Sequence, residues 1–214
     1  MLLGCLLALG GCASEKRLPY EAWRLGFIAP VHMEVWVESG EVDDVAGRHF
    51  SGYETGTAAI GYEGDPAGWT ANPSEGKGRF VVGAALPKRI EVRWQSLVEP
   101  QAYRVTLDIP DAMRRQMLTQ GPPDPTHAML PEDRYYNLVT IGLAPGGWVK
   151  VWVSGGVEKA IPMMCVKADV VQGGPHEGKL TFGKRSKYWP LSEHTKSYLE
   201  THPVPYDSWK CDKP

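Results

Sequence analysis

The 214-residue chain is short of charge imbalance, of phenylalanine and of catalytic signatures, and each shortage excludes something. Lys and Arg number 23 against 25 Asp and Glu, a net charge of −2, so no basic excess exists to neutralise a phosphate backbone, and nucleic acid is not an expected partner. Phe occurs only 4 times beside 8 Trp and 9 Tyr. That balance favours rings that pack on one side and hydrogen-bond on the other, as on a half-buried β-surface or a recognition surface. There is no Gly-x-Ser-x-Gly, no His-Glu-x-x-His and no Cys-x-x-Cys. Glu75-Gly76-Lys77-Gly78 is not a phosphate loop, because Ala71 stands five positions before Gly76 and Gly78 replaces the Ser or Thr that would bind magnesium. The six histidines show no i,i+2 or i,i+4 metal spacing with one another. The expectation is a protein that is not an enzyme and carries no metal or cofactor.

What is present begins with an address. Residues 1–11 carry no charged side chain and are mostly Leu, Ala and Gly, an apolar run under the ~18 residues a membrane-spanning helix needs. Small residues follow it, as in a secretory signal. Leu9-Gly10-Gly11-Cys12 resembles the bacterial lipobox, which implies that Cys12 becomes the lipidated first residue of the mature chain. Ala13 and Ser14 after it, in place of Asp, imply sorting to the periplasmic leaflet of the outer membrane. The expected organisation is a signal peptide at 1–11, a lipidated tether at 12–19 and one domain at 20–214. A chain of this length buries roughly 70% of its unfolded surface without a staple. The tether reaches roughly 25 Å at ~3.5 Å per residue.

Cys5 leaves with the signal and Cys12 takes the lipid, so Cys165 and Cys211 remain. An oxidising compartment invites a disulfide between them. The other reading is a buried Cys165 on a strand with Cys211 loose in the tail. Spacing alone does not choose.

Period-two alternation dominates from Trp23 onward. His32, Glu34, Trp36 and Glu38 fall on one strand face and Met33, Val35 and Val37 on the other. Ile90, Val92 and Trp94 alternate with Glu91, Arg93 and Gln95, and further β-runs lie at 57–62, 80–82, 103–109, 138–143, 149–153 and 163–171. Glycine (24) and proline (18) make up about a fifth of the chain, above the ~12% average but below low-complexity composition, which argues against long helices and against global disorder. Roughly nine or ten short strands with Gly/Pro turns indicate an all-β antiparallel sandwich or barrel-like fold with one or two short helices. One helix follows Pro110, with Met113 and Met117 as an i,i+4 pair. The other runs from an N-cap at Ser192 to Glu200, with Pro203 beyond it.

Leu25-Gly26-Phe27, Ala29-Pro30 and Val35-Trp36-Val37 echo Ile141-Gly142-Leu143, Ala144-Pro145 and Val151-Trp152-Val153. Either this is internal pseudo-symmetry or the shared phrases are ordinary strand vocabulary. In both cases each copy is expected to be a hairpin of strand, Ala-Pro turn and strand. Residues 61–78 and 119–134 are long, Gly/Pro-rich and aperiodic, as binding loops or plain connections are.

Pro19-Tyr20-Glu21-Ala22-Trp23-Arg24-Leu25-Gly26-Phe27, Arg93-Trp94-Gln95-Ser96-Leu97 and Ile141-Gly142-Leu143-Ala144-Pro145-Gly146-Gly147 with Val151-Trp152-Val153 resemble the proteobacterial lipoprotein family known as domain of unknown function 2931. The resemblance implies a predominantly β fold and an envelope location, and it carries over no catalytic residue. Some similar lipoproteins serve as immunity proteins against phospholipase-class effectors of type VI secretion. The expected function is therefore a membrane-anchored periplasmic antitoxin that binds a secreted lipase-class effector. A housekeeping envelope lipoprotein that binds a small ligand or another envelope component is the alternative. Within that reading Trp69, alone in a long loop, is the expected aromatic anchor, or else a ring folded back on its own domain. Asp124, Glu132, Asp133 and Arg134 are the expected rim charges.

Overall fold

The computed structural model describes residues 17–53, 56–123, 134–155, 159–181 and 184–211. Two sheets form a sandwich. The first has the order β10 (Ile161–Lys167), β9 (Trp148–Ser154), β8 (Leu138–Ala144), β1 (Ala22–Ile28), β5 (Lys77–Val82). The second has the order β11 (Asp169–Val170), β7 (Gln101–Asp108), β6 (Pro87–Ser96), β2 (Val35–Asp44), β3 (His49–Tyr53), with β4 (Gly56–Thr57) also on β2. A small ribbon of β12 (Leu180–Thr181) and β13 (Lys184–Arg185) stands apart from both.

The core is what the alternation selects. Trp23, Leu25 and Phe27 from β1, Val139, Ile141 and Leu143 from β8, and Val149, Val151 and Val153 from β9 meet Val35, Ile90, Val92, Trp94, Val105 and Leu107 of the second sheet in one buried cluster. Strand β2 keeps Val35, Val37 and Val42 all inward although their parity differs. A register shift between Val37 and Ser39 explains this, because a β-bulge inserts one residue and reverses which parity faces the core. Helix α1 (Asp111–Met117) starts after Pro110 and buries Met113 and Met117, one turn apart, in the same cluster. Helix α2 (Glu193–Leu199) is capped by Ser192, whose hydroxyl accepts the Thr195 N–H.

Local expectations are corrected at four points. The ladder is not wholly antiparallel, since β1 runs parallel to β8, pairing Leu25 with Val139 and Phe27 with Ile141. The echoed copies also differ. Strands β8 and β9 form the expected hairpin, whereas β1 and β2 belong to opposite sheets and the Ala29-Pro30 segment crosses between them. The 57–62 run contributes only Thr57 to a strand and an isolated bridge from Ala59 to Ile28. The 163–171 run changes sheets, from β10 to β11, at the buried Ala168.

Candidate binding surface

Both outer faces of the sandwich are covered by segments distant in sequence. Residues 61–76 lie across the first sheet, where two glycines of the echoed motif make room. A Cβ on Gly26 would stand 2.0 Å from the Glu75 carbonyl oxygen, and one on Gly142 would stand 2.6 Å from the Trp69 ring and 2.8 Å from Trp152. Trp69 meets Trp152 edge-on, with ring centroids 5.6 Å apart, and its indole N–H donates to the Trp209 carbonyl at 2.9 Å. Trp209 is fully buried and donates to the Pro66 and Gly68 carbonyls at 3.1 and 3.2 Å. Trp69 is thus half-buried and folded back on its own domain, a correction to its expected role as a free anchor. Behind it a cleft of about 500 Å³ opens between Ile28 and Val31 on one side and Trp69, Thr70, Asn72 and Ser74 on the other.

Cys211, just beyond Trp209, is bonded to Cys165 on β10, with Cα atoms 5.6 Å apart. The geometry selects the disulfide reading and fixes the tail against the first sheet.

The second sheet is covered by residues 174–179 and 186–199, through acidic and amide side chains that alternation directs outward and that are nonetheless buried. Glu38 accepts the His176 N–H at 2.9 Å and the Gln95 amide at 2.9 Å, and the Gln95 carbonyl oxygen accepts the Trp189 N–H at 2.7 Å. Glu34 accepts the Ser192 N–H at 2.8 Å and the Tyr62 hydroxyl at 2.7 Å. Burial alone would raise the Glu34 carboxyl, yet the hydrogen bonds from Ser192 and Tyr62 outweigh it and hold the group below its ordinary range. These carboxylates replace the strand partners that the covering backbone lacks.

The covered face carries two aromatic groups. Trp189 stacks on Trp36 with ring centroids 3.7 Å apart and remains 49% exposed. Tyr62, half-exposed, lies 5.1 Å from the His194 ring. Beneath them His32, at φ 62°, is buried against Tyr198 at 3.9 Å, and Tyr198 stacks in turn on His202 at 4.3 Å. Residue-by-residue reading missed this site. The one available signal was Trp189-Pro190, a tryptophan outside the periodic strands.

The other expected residues are distributed as follows. Arg134 sends both Nε and Nη2 to the Gly121 carbonyl, at 3.1 and 2.8 Å, while the Gly121 N–H donates to the Arg134 carbonyl. Arg134 thereby ties its own segment to Gly121 and is half-buried. Asp124, Glu132, Asp133 and Cys12 lie outside the described residues. Among the described residues no group of three or more His, Cys, Asp or Glu is placed to hold a metal, and no helix is long and apolar enough to cross a membrane.

No curated protein and no solved structure matches this chain. A family model described as "Protein of unknown function (DUF2931)" matches residues 12–207, nearly the whole chain, and the chain belongs to that family.

Proposed function

We propose that this protein is a non-enzymatic, lipid-anchored envelope protein that binds and blocks a secreted lipase-class effector, using the aromatic surface around Trp189. The observation that carries the reading is Trp189 itself, held by a stack on Trp36 and a backbone bond to Gln95 while half of it stays in solvent. Interface energy concentrates in such pre-positioned aromatic side chains. The family match beginning at Cys12, the residue the lipobox would make first, supports the anchor. The disulfide suits an oxidising compartment. Confinement of inhibitor and toxin to one membrane surface would raise their effective concentration.

The test is affinity purification of the full chain from its native envelope. Recovery of a secreted lipase that Trp189→Ala binds about thirtyfold more weakly, ~2 kcal/mol, is the expected result. Recovery of no toxin, together with no fitness loss on deletion under attack by kin cells, would overturn the reading. The cleft beside Trp69 favours a second reading, a housekeeping lipoprotein with a small ligand. Retained lipid or glycan in the purified chain, without toxin, would establish it.

A further inference from the structure

We propose that the end of the sandwich at which the chain enters is a membrane-facing surface, with Val45 and Leu118 seated at the headgroup–acyl boundary of a phospholipid bilayer. The inference rests on the reading of Cys12 as a lipid anchor.

A groove of about 650 Å³ opens at this end, between the start of the chain, the β2–β3 turn, the β5–β6 turn and the end of α1. Leu18, Val45 and Leu118 supply apolar lining, and Arg17, Arg48 and Glu21 are its charged residues. Val45 is 52% exposed and Leu118 45% exposed, and the neighbouring strand β5 ends in exposed Phe80 and Val82. Scattered apolar residues on a surface need no explanation, but a contiguous set at one end marks a contact. Arg48 pairs with Asp44 at 2.8 Å, yet the Asp44 side chain is fully buried while the Arg48 side chain is 45% exposed. The pair therefore shows its cationic half outward. Exposed Arg17 adds a second guanidinium, the group suited to phosphate.

The length of the tether decides what can occupy the groove. Arg17 lies at the groove and is five residues from Cys12, a reach of at most about 18 Å. A folded protein of ~100 residues, with a radius of gyration near 13 Å, is wider than that gap. A bilayer surface fits where a protein partner does not. The opposite end is then presented to the periplasm. Strand β1 leads away from the groove for seven residues, about 23 Å, and β2 returns to it for ten. Glu34, Tyr62 and the Trp36–Trp189 stack stand at the beginning of β2, at the far end.

The experiment places a new tryptophan at each end of the full acylated chain, Val45→Trp near the tether and Ala67→Trp in the exposed far loop. Each variant is anchored in phosphatidylethanolamine–phosphatidylglycerol vesicles whose acyl chains are brominated at carbons 6 and 7. The expected result is that the added emission of Val45→Trp is quenched at least twofold more than that of Ala67→Trp. Equal quenching in a chain whose mass shows an acylated Cys12 overturns the orientation and leaves the anchor standing. A chain that lacks the acyl mass and stays off vesicles removes the anchor, and the proposed surface with it.

Discussion

Trp69 and Trp209 clasp each other across 140 residues of sequence: the Trp69 indole donates to the Trp209 carbonyl, and the Trp209 indole donates to the carbonyls of Pro66 and Gly68 just before Trp69. Each ring also fills apolar space in the same cluster with Met33 and Ala144. Trp209→Ala is therefore expected to destabilise the domain by about 3–5 kcal/mol, the cost of emptying a buried aromatic site, and Trp69→Ala by about 2–4 kcal/mol because it is only half-buried. The double variant should lose less than the two losses added, with a coupling of about 0.5–3 kcal/mol. Urea unfolding of the four proteins measures all three quantities.

The glycines beneath the long loop give a second expectation. Gly142→Ala drives a methyl group into the rings of Trp69 and Trp152, and overpacking of this kind costs about 1–3 kcal/mol. Gly26→Ala is the harsher change, because its Cβ meets the Glu75 backbone carbonyl, which has no rotamer by which to escape. Limited proteolysis should show faster cleavage within residues 61–76 in both variants, most in Gly26→Ala.

Much of this architecture is legible residue by residue, and what is not has a physical cause. Alternation finds the core strands, the Met113–Met117 spacing finds α1, and Ser192 finds the cap of α2, because each signal is local. The hairpin expected at Ala29-Pro30 fails where the one at Ala144-Pro145 succeeds. Gly146 and Gly147, at φ 72° and 74°, supply the tight reversal, whereas Val31-His32-Met33-Glu34 holds no glycine and carries the chain to the other sheet. Glu34 and Glu38 look solvent-facing because their covering partners, Ser192 and His176, are 158 and 138 residues away. Trp69 looks free for the same reason. Its seat is the missing side chain of Gly142, a space that exists only once the two segments meet.

The disulfide is expected to stabilise chiefly by restricting the unfolded chain. Cys165 and Cys211 are 46 positions apart, and a loop of that size is worth about 3–4 kcal/mol on the chain-entropy model. Paired Cys165→Ser and Cys211→Ser substitutions should lower the unfolding free energy by that amount. Under reducing conditions the unsubstituted protein should approach the stability of the double variant.

Acid is expected to destabilise the fold through two carboxylates. Burial would raise Asp44, but the backbone N–H groups of Arg48 and Ala85 and the Arg48 guanidinium outweigh it and hold the group below its ordinary value of 3.8. Glu34 is likewise held below 4.5. A carboxyl whose folded pKa is depressed binds fewer protons folded than unfolded, so its contribution is present in full above the unfolded value and is lost as pH falls through the folded one. Unfolding free energy should therefore hold from neutral pH down to about pH 5 and drop below about pH 4. Glu34→Gln should be less stable by about 1–3 kcal/mol at pH 7, because an amide cannot accept from both the Ser192 N–H and the Tyr62 hydroxyl with two oxygens. The same substitution should flatten the acid limb, since the titrating group is gone. An acid limb as steep in Glu34→Gln and Asp44→Asn as in the unsubstituted protein would place the sensitivity elsewhere.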